Sequence, residues 1–266
     1  MTTVWLNGSL VPASEARISP FDHGLLTGDG VFETLKVYGG VPFAPRRHFE
    51  RLAASALGMG LPLPSLLTLR TALDAVVAAN GLVDGRLRIT VTGGDSPLGS
   101  DRGSAGPTVL VAGGPLPVWP ESVDVVTVPW PRNERGALAG LKTISYGENV
   151  VALAYARRAG AGEAVFGNLA GNLCEGTGTN VFLVPAGSGR LVTPPLSSGC
   201  LAGVTRALLV ESGVAVEEDV PLSALASADE AFLASTTREV QPISAVDGVG
   251  LAAVGGPLTA AAAAAF

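Results

Sequence analysis

From Gly113 to Pro120 the chain reads Gly-Gly-Pro-Leu-Pro-Val-Trp-Pro, a stretch that can sustain neither a helix nor a central strand. A chain of 266 residues is long for one hydrophobic core, so this stretch is the natural place to divide it. The division expected is a smaller domain over residues 1–113, a linker over 114–121 and a larger domain over 122–266. Before the linker, Val4 to Leu6, Val31 to Val37 and Val41 to Phe43 read as strands, punctuated by Asn7-Gly8 and Gly39-Gly40. Helices are expected from Pro45 to Leu57, with Phe49, Leu52, Ala53 and Ala56 on one stripe, and from Pro64 to about Ala79, closed by Asn80-Gly81. Strands at Arg86 to Thr92 and Thr108 to Ala112 flank a Gly- and Ser-rich loop long enough to form a pocket wall.

After the linker, strands are expected at Val123 to Val128, Ala164 to Phe166, Asn180 to Val184, Arg190 to Thr193 and Ala231 to Ala234. Helices are expected from about Glu148 to Ala159 and from Gly203 to Ser212. The mixture points to α/β or α+β architecture. Gly28-Asp29-Gly30 runs into a strand rather than a helix, so nothing supports a nucleotide-binding fold.

Apolar residues make up 47% of the chain, charged residues 15% and the net charge is −6, a balance that suits a compact enzyme and gives a nucleic acid no basic patch to bind. No run approaches the roughly 18 apolar residues of a membrane span, and the N-terminal residues lack the pattern of a signal peptide, so the expected location is the cytoplasm. Cys174 and Cys200 read as reduced thiols. Neither they nor His23 and His48 fall at metal-ligand spacing, so no metal is expected.

Fifteen of the 17 basic residues are Arg, which leaves Lys36 and Lys142 as the side-chain primary amines. Arg keeps its proton and cannot attack a carbonyl, whereas a desolvated Lys can. Lys36 stands among alternating strand residues beside Glu33 and Tyr38, which suggests a solvated or edge position. Lys142 lies in Gly-Leu-Lys-Thr-Ile-Ser-Tyr, flanked by apolar and hydroxylic residues that suit a partly dry amine. Glu175 sits in a polar, small-residued stretch, Asn-Leu-Cys-Glu-Gly-Thr-Gly-Thr-Asn, that gives no packing reason to hold a carboxylate.

The run from Glu175 through Phe182, followed by Leu191-Val192-Thr193 and by Leu201-Ala202-Gly203-Val204-Thr205-Arg206, resembles the extended signature of the class IV pyridoxal-phosphate aminotransferases and aminodeoxychorismate lyases. Phe21-Asp22-His23-Gly24, the block from Gly28 to Thr34, His48 to Leu52, the Lys142 segment and Ser235 to Val240 with Pro242 resemble further family blocks in family order. The resemblance implies a two-domain fold type IV enzyme, a small N-terminal α/β domain and a larger C-terminal domain with pyridoxal 5'-phosphate between them, in a homodimer. It implies that Lys142 carries the cofactor as a Schiff base and acts as general base, and that Glu175 faces the pyridine nitrogen. Arg51, Val204, Thr205 and Thr236 would hold the phosphate, the helix start at 204 being suited to an anion. Tyr146 would lie near the cofactor's phenolic oxygen.

Two reactions share this machinery: transamination, and elimination of pyruvate from 4-amino-4-deoxychorismate to give 4-aminobenzoate for folate synthesis. The compact chain and the Gly28 to Thr34 block favour the lyase. So does the loop after Thr92, where Leu98 and Ser100 stand in place of the Arg-x-His pair of D-amino-acid aminotransferases and Phe32 in place of their Tyr. The expectation is therefore the lyase, with a branched-chain or D-amino-acid aminotransferase using 2-oxoglutarate as the alternative. Phe32 is a candidate substrate contact and Arg102 a candidate carboxylate binder.

Overall fold

The computed structural model describes residues 2–266, and the chain falls into two compact units. The first comprises residues up to Pro117 together with Leu141–Tyr146; the second comprises Val118–Gly140 and Gly147–Phe266. The division falls inside the Pro-rich stretch. Leu141–Tyr146, which the sequence reading placed in the second domain, packs with the first, because Val31 and Thr143 form an antiparallel bridge.

The first unit contains β1 (Thr3–Leu6), β2 (Ser9–Pro12), α1 (His23–Thr27), β3 (Gly30–Tyr38), β4 (Val41–Pro42), α2 (Pro45–Gly58), α3 (Leu66–Asn80), β5 (Gly85–Thr92) and β6 (Thr108–Gly114). Its strands form one antiparallel sheet in the order β2-β1-β6-β5-β3-β4. Ser65 caps α3 by accepting from Thr68 N–H, and Gly81 ends it in the left-handed conformation, as the Asn-Gly signal requires. One face of the sheet is apolar: Val31, Leu35 and Val37 with Leu87, Ile89 and Val91 pack against Phe49, Leu52 and Ala56 of α2 and Leu69, Leu73 and Val76 of α3. Glu33 lies in this same inward row. The sequence reading used it as a sign that Lys36 is solvated or at an edge, yet Glu33 itself is wholly buried, because charged partners on α2 meet it.

The second unit contains β7 (Val123–Thr127), α4 (Gly147–Arg158), β8 (Glu163–Gly167), β9 (Leu173–Gly176), β10 (Asn180–Val184), β11 (Val192–Thr193), α5 (Val204–Glu211), β12 (Val216–Glu217), β13 (Glu230–Ser235), β14 (Glu239–Val246), β15 (Val249–Gly250) and α6 (Pro257–Ala265). The order β10-β13-β14-β7-β8-β9 closes on itself, since Glu175 of β9 pairs with Asn180 of β10. The ring encloses Val125, Val165, Leu173, Val181, Leu183, Leu233 and Ile243. Alternate residues face outward: Ala164 and Phe166 lie under α4, and Phe182 stacks on Phe232 at 4.7 Å beneath α5 and α6. Cys174 and Cys200 are free and buried; burial pushes both thiols up from their ordinary range.

The short strands β2, β9, β12 and β15 escaped the sequence reading, and so did helix α1 and strand β14. Helix α1 is a short turn made by its ends, Asp22 accepting from Gly24 N–H and Gly28 taking a left-handed conformation. Strand β14 contains Pro242, which argues against a central strand, and the register shift between Ile243 and Ala245 accommodates it. Among the described residues no helix is long and apolar enough to cross a membrane.

The loop between β5 and β6 is closed at its neck by Gly94, whose φ of +74° and close approach to Gly106 leave no room for a side chain: an added Cβ would lie 1.8 Å from the Gly106 carbonyl oxygen. Gly94→Ala should therefore destabilise the protein by on the order of 1–3 kcal/mol, seen as a lower denaturation midpoint. Gly99→Ala, with open space at its Cβ position, should leave that midpoint unchanged.

Candidate active site

Lys142 is placed by its backbone. Phe32 N–H donates to the Lys142 carbonyl at 3.1 Å, Ile144 N–H donates to the Gly30 carbonyl at 2.9 Å, and Lys142 N–H donates to Ser55 Oγ of α2 at 3.0 Å. The segment can lie this close because residue 30 is glycine; a Cβ there would fall 2.8 Å from Ile144 Cδ1. From this seat Lys142 Nζ reaches over the Phe32 ring, 4.4 Å from its centroid, while Tyr146 meets the same ring edge-on at 5.2 Å.

A third group joins them. Arg88 on β5 pairs opposite Thr34, diagonal to Phe32, and its guanidinium lies 3.7 Å from the Phe32 centroid. The sequence reading missed Arg88. Its signal was strand alternation, which puts Arg86, Arg88 and Thr90 on one face and Leu87, Ile89 and Val91 on the other. Lys36 shares the Phe32 face but sits four residues along, roughly 13 Å away, over the Tyr38 ring.

Arg51 meets Glu33 fork to fork, Nε donating to Oε1 and Nη2 to Oε2, each at 2.7 Å. His48 Nδ1 bonds to the same carboxylate at 2.7 Å. Burial alone would push the Glu33 carboxyl up, but the bonds from Arg51 and His48 outweigh it and hold it at about 2. For His48 burial wins, aided by the charges of Arg51 and Lys142 against the Glu33 bond, and its value falls below the ordinary imidazole range. The cluster is thus an anion, a guanidinium and a neutral imidazole.

Arg102 is half-buried and bonds within the chain, its Nε to Asp29 Oδ2 at 2.7 Å, Nη2 to Asp29 Oδ1 and Nη1 to the Gly60 carbonyl at 2.6 Å. His23 completes that cluster, with Nδ1 2.7 Å from Asp29 and Nε2 2.8 Å from the Gly99 carbonyl. Those two bonds raise its pKa, and the residues together pin the loop after β5.

In the second unit, Glu175 Oε2 accepts from Leu201 N–H at 2.9 Å, and Arg132 Nε lies 3.5 Å from Oε1, an ion pair without a hydrogen bond at that nitrogen. Arg132, another residue the sequence reading passed over, is held over the Phe166 ring at 4.0 Å and paired with Glu148. Two residues after Leu201 comes Gly203, the cap of α5, with no side chain bonded to the helix start. Val204 and Thr205 are buried there. Asn180 ties the region together: it pairs with Glu175, its Nδ2 donates to the Leu201 carbonyl at 2.9 Å, and a Cβ on Gly203 would lie 2.0 Å from its Oδ1. Thr236, half-buried, lies two residues beyond Ala234, the Asn180 partner on β13.

Residues 30–246 match the family model of the amino-transferase class IV. The chain belongs to this family. It is 36% identical over 257 residues, 92% of this chain and 88% of the relative, to a Methanocaldococcus jannaschii protein provisionally named a branched-chain-amino-acid aminotransferase. It is 34% identical to the D-alanine aminotransferase of Bacillus licheniformis, covering 96% of this chain and 93% of that one. Among solved structures, the Escherichia coli branched-chain amino acid aminotransferase superposes with a TM-score of 0.91 at 28% identity, over 98% of this chain and 91% of that one. A Legionella pneumophila protein provisionally named 4-amino-4-deoxychorismate lyase shares the fold at a TM-score of 0.87 and 24% identity, over 94% of each chain. The protein is accordingly a pyridoxal-phosphate enzyme of fold type IV. Its residues fit that cofactor: an amine in a half-buried seat, a carboxylate held by a backbone N–H, and a helix start with no side-chain cap, as an anion requires.

The pairing of Glu33 has a measurable consequence. A carboxyl lowered on folding from 4.5 to about 2 contributes stability that is complete above pH 4.5 and is lost as pH falls through about 2. The loss should amount to roughly 3 kcal/mol at most. Chemical denaturation at pH 6 and pH 3 should show it, and Glu33→Gln should flatten that pH dependence.

Proposed function

We propose that this enzyme is an aminotransferase for branched-chain amino acids with 2-oxoglutarate as acceptor. The observation that carries the reading is the Phe32 ring with the Lys142 amine and the Arg88 guanidinium upon it: an apolar face for an alkyl side chain, a reactive amine and a fixed cation for a carboxylate. The lyase favoured by the sequence is the second reading. The named relatives above 30% identity are aminotransferases, while the likeness to the lyase structure rests on the fold. D-Amino acids fit less well, since Leu98 and Ser100 are exposed and neither can trap a carboxylate.

In this reading Lys142 Nζ would hold pyridoxal phosphate through its aldehyde carbon and, freed by the substrate amine, would carry the proton from Cα to that cofactor carbon, so that a keto acid leaves. The bound cofactor supplies an electron-accepting ring that stabilises the charge left at Cα. Glu175, oriented by Leu201 N–H and Arg132, would keep a proton on the ring nitrogen. Arg51, the backbone of Val204 and Thr205, and Thr236 would hold the phosphate, and Tyr146, edge-on to Phe32, would orient the phenolic oxygen. Arg102, bonded within the chain, contributes by holding the loop rather than by touching substrate. The two buried free thiols suit a reducing compartment, the cytoplasm.

Leucine or valine with 2-oxoglutarate should yield glutamate, and D-alanine should yield far less. Pyruvate and 4-aminobenzoate from aminodeoxychorismate, without glutamate from leucine, would replace this reading by the lyase. Lys142→Ala should abolish turnover and the fixation of label by borohydride reduction of the cofactor-loaded protein, and Lys36→Ala should affect neither.

The reading includes a homodimer. Ile18, Phe21, Leu25 and Leu26 are exposed apolar side chains, and the bond from Ser96 N–H to the Phe21 carbonyl ties their segment to the loop that carries the exposed Leu98. Such a patch is costly to leave in water. Sedimentation should give twice the chain mass, and Leu25→Glu should shift it toward one; a monomeric wild type would exclude the dimer.

A further inference from the structure

The inward row of β3 reads Val31, Glu33, Leu35, Val37, and all four residues are fully buried against the helices. Three of them do what such a row ordinarily does. The fourth is an anion at a position where an apolar side chain would pack against Leu52 and Phe49 without desolvating a charge. Joining β3 to α2 is already the work of that apolar contact, so the carboxylate calls for another explanation.

Its partners supply one. His48, Arg51 and Ser55 fall at positions i, i+3 and i+7 of α2, on a single face. Ser55 receives the Lys142 backbone N–H, while Arg51 and His48 both turn to Glu33. Two parallel bonds fix the guanidinium plane, and with it the direction of every remaining donor on Arg51. The bond from His48 Nδ1 fixes the imidazole tautomer, and its Nε2 is left buried with no hydrogen-bond partner among the described residues.

We propose that Glu33 is a positioning residue for the cofactor's phosphate: it never touches the phosphate, but through Arg51 it sets the geometry with which that face of α2 receives a phosphoryl group. The proposal rests on the reading that Arg51 holds the phosphate. It predicts a selective defect, because loosening the guanidinium weakens recognition of the phosphate and leaves recognition of the aldehyde and ring intact.

The test compares two probes on the cofactor-free protein, pyridoxal 5'-phosphate and pyridoxal, with binding read from the absorbance of the protein-bound aldehyde. Glu33→Gln should weaken binding of the phosphorylated probe by on the order of ten- to a hundredfold and leave pyridoxal unchanged. General damage to the fold would weaken both equally. Glu33→Asp keeps the charge but withdraws the carboxylate from the fork, and should show the same selective defect to a smaller degree; it serves where the amide fails to fold. Arg51→Gln separates the two layers of the argument. If Arg51→Gln leaves the preference for the phosphorylated probe intact, Arg51 does not hold the phosphate and the underlying reading fails. If Arg51→Gln removes that preference while Glu33→Gln and Glu33→Asp keep it, the positioning role of Glu33 is overturned.

Discussion

Strand β3 is the common reference for everything placed in the first unit, and its usefulness comes from having three different surfaces. Its inward row meets α2 and carries Glu33; its outward row carries Phe32; and its edge, where β4 covers Val37 and Tyr38, stays open at Gly30 to Phe32 for the Lys142 segment. Because the side chains of a strand alternate with period two, fixing any one of these surfaces fixes the others. A slip of one residue would turn Phe32 toward the helices and Glu33 toward Arg88. The fully apolar packing of Val31, Leu35 and Val37 opposes that slip, so the core of this unit keeps the amine and the aromatic ring in register.

The second unit solves a similar problem by closing a ring. The pair Glu175 and Asn180 is the join, and both side chains are oriented by what lies next in the chain, the carboxylate by Leu201 N–H and the amide by the Leu201 carbonyl. One peptide segment therefore sets the acidic group and, two residues later, begins the helix whose first turn has no side-chain cap. The near contact between Asn180 Oδ1 and the Cβ position of Gly203 explains why the cap is glycine rather than Ser or Asp: the space where a capping side chain would start is already filled.

The sequence disclosed α2 and α3 of the first unit closely, α3 because it has a serine cap, an apolar stripe and an Asn-Gly end, all local signals. It singled out Lys142 and Glu175 as candidates for a different reason, the scarcity of lysine and the want of any packing role for that carboxylate, together with the family resemblance. Glu33 and Arg88 were illegible. A charged residue at an inward strand position is indistinguishable by pattern from one at an edge until its partners are known, and those partners, His48 and Arg51, are fifteen and eighteen residues away. Arg88 likewise becomes meaningful only when β3 and β5 are paired. Strand β14 was missed because Pro242 is evidence against a strand unless a neighbouring irregularity absorbs it.

The near absence of lysine acquires a physical meaning once the charges are placed. Arg51, Arg102, Arg132, Arg206 and Arg238 each meet a carboxylate in a buried or half-buried setting, with Glu33, Asp29, Glu175, Glu217 and Glu163 respectively. Those posts need a cation that holds its proton when desolvated, and at Arg51 and Arg102 one that binds a planar carboxylate at two points, which arginine does and lysine does not. The enzyme needs the opposite property at a single place: an amine that can lose its proton and attack an aldehyde. With Lys142 proposed as the reactive nitrogen and permanent charge left to arginine, the two demands do not compete, and the other side-chain amine, Lys36, rests on Tyr38, four residues along the strand from Phe32. Under that assignment a reactive aldehyde would meet at Lys142 an amine seated by backbone hydrogen bonds against an aromatic ring, among guanidinium groups that it cannot modify by the same chemistry.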